Sequence, residues 1–220
     1  MEIGIIGLAK SGRTTLFNAL TRGKAETAAF APTALTPNVG VAKVADPRLQ
    51  VLEGIFKPKR TIPAEVRYID AAQRGVGKGE VVSGELLSKL SGVDGLICVI
   101  RAFEDDKVHH PQGSIGPERD LETINLELAF SDLAIIEKRL GRIDIALKGA
   151  KQQERELHLR EEAILAKIRD GLQEGVPVRE QALGKEEIKV IQSYQFLTEK
   201  PLLVVLNIGE DRLPEAVSLE

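Results

Sequence analysis

Nine residues near the start of the chain have the types and spacing to hold phosphate. They are Gly7-Leu8-Ala9-Lys10-Ser11-Gly12-Arg13-Thr14-Thr15, directly after the apolar run Ile3-Gly4-Ile5-Ile6. Gly7, Gly12 and Thr14 meet the pattern G-x-x-x-x-G-K-[ST], with Arg13 where the pattern has lysine. Glycines let the backbone curl so that successive N–H groups turn inward on phosphate oxygens, and a helix after the loop adds its positive N-terminal end. Gly7, Ala9, Lys10, Ser11, Gly12, Arg13, Thr14 and Thr15 are therefore the expected phosphate-binding residues. The plainer alternative is an ordinary glycine-rich strand-to-helix turn, which requires neither the second glycine nor the threonine at this spacing.

Two further places bear on the same chemistry. Thr14 would set its hydroxyl on Mg²⁺. The strand-like Val66–Asp70 ends in an acid where such a site expects a carboxylate behind the magnesium's own ligands, although an Asp after a strand is otherwise a common turn former. Near the end, the apolar run 202–206 leads into Asn207-Ile208-Gly209-Glu210. In nucleotide switches an Asn and an acid three residues later follow such a strand. The Asn braces the phosphate loop and reads the purine, and the acid accepts from guanine N1–H and its amino group. Here the tetrapeptide stands in place of Asn-Lys-x-Asp: Gly209 is read as replacing the lysine that stacks over the base, and Glu210 is one carbon longer than Asp, and both changes weaken the fit to guanine.

The elements needed to position these residues are legible as alternating strand and helix. Strands are predicted over 3–7, 38–44, 62–69 and 95–100, and helices over 14–22, 48–56 and 84–90. Asp46 is suited to the N-cap and Pro47 to the first turn of the second helix. Residues 24–37 and 72–79 read as mobile loops. The run Gly95–Ile100 is apolar throughout, as a strand covered on both faces requires. From Asp120 the pattern changes. One long helix is predicted to Lys148, a second over Gln152–Leu172 with Leu157, Ala163, Ile164 and Ile168 as its apolar stripe, ending at Gly171, Gly175 and Pro177, and a third over Lys185–Leu197. A buried strand then returns at 201–207. The fold class expected is α/β: a P-loop nucleotide-binding domain with a mostly parallel sheet (1–119 and 198–220, its C-terminal part incomplete) and an inserted antiparallel helical hairpin (120–197).

With 220 residues, 43% hydrophobic and only 4% aromatic, the chain can bury a sizeable aliphatic core. Its net charge of −3 supplies no global attraction for nucleic acid, so DNA is not an expected partner. The single Cys98 lies in an apolar run and reads as a core residue. Neither a signal peptide nor a stretch of ~20 apolar residues is present, so no membrane partner is expected and a cytoplasmic location is the default.

These words together resemble the YchF, or Obg-like ATPase, family of P-loop switches. The matching segments are Gly12–Leu20, Pro37-Asn38-Val39-Gly40-Val41, Asp46-Pro47-Arg48-Leu49, Lys78-Gly79-Glu80, Phe103-Glu104, Asn125-Leu126-Glu127-Leu128 with Asp132-Leu133, and Asn207…Glu210, spanning nearly the whole chain. The resemblance implies binding and hydrolysis of ATP (or GTP) with Mg²⁺ and association with the ribosome or translation factors. It also implies that the family pattern continues into a sixth strand and a C-terminal ubiquitin-like domain, so that this chain is a fragment of a longer protein. It assigns a water-positioning histidine after the fourth strand to His110, beside His109. The family's loop lysine is Arg13. Its loop asparagine, which in potassium-dependent members of this class helps hold a monovalent cation, is Lys10. Its magnesium-binding switch threonine falls on Ala34, and the Gly of its D-x-x-G switch on Gln73. Arg13, Lys10 and His110 are thus the expected catalytic residues. The alternative is a degenerate nucleotide-sensing module in which Arg13, Ala34 and Gln73 have removed turnover.

Overall fold

The computed structural model describes residues 1–23, 37–70, 89–105 and 107–218. These fall into two compact units. One holds the described residues of the first 75 positions, Val93–Pro117 and those from Leu202 on; the other holds Lys89–Gly92 and Glu118–Pro201.

The first unit is built on a five-stranded sheet. Its strands are β1 (Glu2–Ile6), β2 (Asn38–Lys43), β3 (Glu65–Asp70), β4 (Gly95–Ala102) and β5 (Leu202–Ile208), in the order β2-β3-β1-β4-β5. Only β2 runs antiparallel to its neighbour; β3, β1, β4 and β5 are parallel. Isoleucines at 3, 5 and 6 suit β1 to this central place, because β-branched side chains pack well when both faces are covered. The helix α1 (Arg13–Thr21) follows the loop after β1, and Phe17 joins Ile5 and Val99 in a core flanked by Leu16, Leu20, Tyr68 and Ile97. The second helix, α2 (Pro47–Phe56), begins as the sequence predicts: Asp46 caps it by accepting from Arg48 N at 2.9 Å, with Pro47 in the first turn. Cys98 is fully buried and its thiol is pushed up to about 12 by that burial, so it packs as a small hydrophobe.

Register explains why site residues from distant parts of the chain meet. Ile5 lies opposite Asp70, Asn38 opposite Asp70, and Arg101 opposite Asn207. The loop after β1, the end of β3, the segment after β4 and the end of β5 therefore share the carboxyl edge of one sheet. That edge is where open α/β sheets bind ligands.

The second unit is helical: α3 (Pro117–Leu147), α4 (Gln152–Gln173) and the short α5 (Lys185–Ile191). Its core contains Ile136, Ile143, Ile164, Leu165, Ile168, Leu172, Ile191 and Phe196. Asp132 of α3 is buried within it. Its carboxylate accepts from Leu197 N at 2.9 Å, Thr198 N at 2.8 Å and Thr198 Oγ1 at 2.7 Å. Across the α3–α4 pair, Arg139 donates to both oxygens of Glu161 at 2.8 and 2.7 Å.

Several sequence expectations are corrected. The stripe of α4 is Ile164, Leu165, Ile168 and Leu172, while Leu157 and Ala163 are exposed, because the buried stripe occupies the later turns of the helix. Gly171 lies inside α4; the stop is at Gly175, with φ 82°. The third helix ends at Ile191, passes into a 3₁₀ turn and breaks at Gln195, whose φ is 54°. The run at 202–206 reads as buried from composition, yet Leu203 is 60% exposed, because β5 is the sheet edge and pairs only with β4. The loops at 24–36 and 72–79 lie outside the described residues. Of the helix expected at 84–90, Lys89 and Leu90 are described, and both are helical.

Candidate functional site

The loop after β1 turns on its two glycines, with φ 152° at Gly7 and 98° at Gly12. Neither place has room for a side chain. A Cβ on Gly7 would strike the Val99 carbonyl oxygen and lie 2.7 Å from Ser11 Oγ, and one on Gly12 would strike the Asn207 amide. Lys10 also sits in the left-handed region, at φ 64°, which costs a non-glycine residue ~1–2 kcal/mol. Ala9, Lys10 and Thr15 are exposed, whereas Gly7, Ser11 and Arg13 are buried. The Arg13 side chain runs back past Gly7, its Cδ 3.3 Å from where that Cβ would be. Burial lowers the Arg13 pKa, opposed by the charge of Asp70 and then by Cys98. A guanidinium stays protonated regardless, so the loop encloses a fixed cation where the sequence pattern has a lysine.

The structure brings Thr14 and Asp70 together: Thr14 Oγ1 donates to Asp70 Oδ2 at 2.8 Å. Asn38 Nδ2 donates to the same oxygen at 3.2 Å. Asp70 is fully buried, yet its Oδ1 has no hydrogen-bond partner among the described residues, nor has the buried Ser11 Oγ. A buried carboxylate oxygen without a donor calls for water or a cation. A carboxylate and a hydroxyl side by side are hard oxygen donors of the kind Mg²⁺ takes, usually with several waters retained. These residues therefore fit Mg²⁺.

Asn207 reaches the loop from β5, its Nδ2 donating to Ser11 O at 2.9 Å. This brace explains why Gly12 must lack a side chain. The lysine position of an Asn-Lys-x-Asp reader, read from the sequence as Gly209, is corrected to the half-buried Ile208, the residue directly after Asn207, and the exposed Glu210 opens a 3₁₀ segment. Asp211 lies over Gly209, and Phe103 Cβ is 3.9 Å from where a Gly209 Cβ would be.

The two histidines separate by environment. His109 is exposed, while His110 is half-buried and its Nδ1 accepts from Gln112 N at 3.1 Å. With Nδ1 accepting, the neutral imidazole carries its proton on Nε2, which makes Nε2 a donor. Ala34 and Gln73, the switch positions, lie outside the described residues. Asn38 and Arg101 are two residues the sequence reading gave no role. Asn38 carried no local signal, because it meets Asp70 only through the antiparallel pairing of β2 with β3. Arg101, a charge inside an apolar strand, was visible as an anomaly.

A mostly parallel sheet carrying a glycine loop, a threonine–aspartate pair and an asparagine brace at one edge defines a P-loop protein of the nucleotide-switch type. The family described as 50S ribosome-binding GTPase matches residues 2–208, and the chain belongs to it, within its YchF and Obg-like ATPase branch. It is 38% identical to the ribosome-binding ATPase YchF of Bacillus subtilis over 98% of this chain and 58% of that protein. It is 32% identical to Obg-like ATPase 1 of Caenorhabditis elegans over 96% of this chain and 53% of that protein. The solved structure of the Schizosaccharomyces pombe YchF GTPase superposes with a TM-score of 0.79 at 29% identity, covering 99% of this chain and 61% of that one. The chain thus spans somewhat more than half the length of the curated relatives it matches.

Proposed function

We propose that this chain is the nucleotide-binding part of a switch that binds ATP or GTP with Mg²⁺, hydrolyses it, and associates with the ribosome as its relatives' names state for them. The observation that carries the reading is the buried Asp70 oxygen left without a donor beside Thr14, beneath a loop with no room for side chains. Mg²⁺ held by Thr14 and backed by Asp70 would neutralise charge on the β- and γ-oxygens. The loop N–H groups and the start of α1 cradle the phosphates. Arg13 places a planar cation among them. Lys10 holds an ammonium at the loop's exposed apex in place of a monovalent cation. Asn207 fixes the loop, and the segment after it receives the base, with adenine preferred or discrimination small. His110, donating through Nε2, orients the attacking water rather than removing its proton.

This gives residues 1–119 and 198–220 the nucleotide and residues 120–197 an accessory role as a helical hairpin. A calorimetric titration of ATP against GTP with Mg²⁺, with turnover read in the same sample, tests the proposal. Binding that persists in a folded Gly12→Val variant would remove its basis. A GTP affinity a hundredfold above that for ATP would overturn the base preference. Nucleotide-dependent pelleting with ribosomes tests the partner.

A further inference from the structure

Arg101 is the seventh residue of β4: a guanidinium 2% exposed in a strand of otherwise apolar residues, opposite Asn207 in the sheet. Its partners among the described residues are two backbone carbonyls and an aromatic ring. Nε donates to the Phe103 carbonyl at 3.1 Å and Nη1 to the Val108 carbonyl at 2.8 Å, while the guanidinium lies 4.6 Å from the centre of the Phe103 ring. Burying a charge among neutral acceptors is costly unless its bonds are well made. A methionine of similar reach would fill the same space in the strand without that cost. What a methionine could not do is grip two carbonyls five residues apart in sequence with one rigid fork.

That grip bears on the site. Val108 is two residues from His110, and the turn beyond it is closed by Gly113 N donating to His110 O at 3.0 Å and Gln112 N donating to His110 Nδ1 at 3.1 Å. Phe103, the other end of the grip, lies beside Gly209 in the segment after Asn207. One side chain rooted in the sheet therefore fixes both the approach to the base segment and the backbone that carries the histidine.

We propose that Arg101 is a positioning residue for hydrolysis, holding the Val108–Gly113 turn so that His110 meets the γ-phosphate side of the site. This rests on the assignment of His110 given above. Arg101 is buried and acts through the Val108 carbonyl.

The test is a double-mutant cycle on turnover, with nucleotide affinity and thermal stability measured on each variant. Arg101→Met should lower kcat at least tenfold and leave the Mg–ATP affinity within about threefold. In a His110→Ala background the same change should cost less than twofold more, because the group being positioned is already gone. A full second loss in that background, or normal kcat in Arg101→Met alone, overturns the proposal while leaving His110 in place. Normal kcat in His110→Ala removes the histidine assignment, and this proposal falls with it. Should Arg101→Met fail to fold, Arg101→Lys keeps the charge but not the fork. It should show lower kcat and faster tryptic cleavage after the exposed Lys107, and wild-type behaviour in both would equally overturn the proposal.

Discussion

Asp70 shows how much a single atom can decide. One of its oxygens takes both Thr14 and Asn38, and the other takes nothing among the described residues. Asp70→Asn keeps the shape and can still accept from Thr14, but it lacks the charge. The expected outcome is at least a tenfold loss of Mg–ATP affinity with little change for nucleotide measured in EDTA; equal loss in both would show that Asp70 serves packing only. At Lys10 the strained φ and the exposed ammonium point to a residue kept for its charge. The expectation is no stimulation by K⁺ over Na⁺ at matched ionic strength in the native chain, and a gain of K⁺ dependence in Lys10→Asn; a K⁺ requirement in the native chain would mean the ammonium does not serve the phosphates. His110→Gln, which restores an N–H near the Nε2 position, should recover part of the turnover that His110→Ala loses, and His109→Ala should lose little. The glycines, Thr14, Asp70 and Asn207 were legible in the sequence because their spacing is local or follows a strand end. Asn38 was not, because its partner is set by sheet register, which no local pattern encodes, and Arg101 stood out only as a charge at the end of an apolar run.

At the scale of elements, the strands were read more reliably for their existence than for their burial. Gly95–Ile100 and 202–206 are equally apolar in sequence, yet one is a central strand and the other an edge, and only the neighbour order tells them apart. The same limit applies to α4, where the apolar content of Leu157 and Ala163 does not place them inward. The helical unit adds ionisable groups whose effects on stability have opposite signs. Arg139, then Tyr194, hold the Glu161 carboxyl below its ordinary range. A depressed folded pKa gives stability that is present above the ordinary Glu value of about 4.3 and lost as pH falls through the folded value. Glu161→Gln should therefore flatten the acid side of the unit's stability curve. Burial pushes Asp132 up instead, against the bonds from Thr198 and Leu197. A raised folded pKa gives stability that is full below about 3.9 and lost as pH rises through the folded value. Asp132→Ala leaves two backbone N–H groups and a hydroxyl without their acceptor, and should cost the unit about 3 kcal/mol by denaturant titration. A cost below 1 kcal/mol would mean that water replaces the carboxylate.

For the molecule as a whole, each unit holds a hydrophobic cluster of its own among the described residues. One is centred on Ile5, Phe17 and Val99 under the phosphate loop, and the other on the isoleucines of α3 and α4. No helix among the described residues is long and apolar enough to cross a membrane. The division into a sheet and an inserted helical stretch was legible because hydrophobic periodicity changes near residue 120. The chain's return to the sheet at β5 was legible from a second apolar run. A cluster in each unit predicts a response of its own to ligand and mutation. Nucleotide with Mg²⁺ binds the folded sheet unit and not the unfolded chain, so at a hundredfold excess over Kd it should add about 2.7 kcal/mol to that unit alone. Asp132→Ala removes stability from the helical unit alone. Differential scanning calorimetry should therefore show two transitions, with Mg–ATP moving one upward by several degrees and Asp132→Ala moving the other downward. The Gly12→Val variant, which strikes the Asn207 brace, should abolish the nucleotide shift while leaving the helical transition where it was. A single transition that both perturbations move together would show that the two cores unfold as one cooperative system.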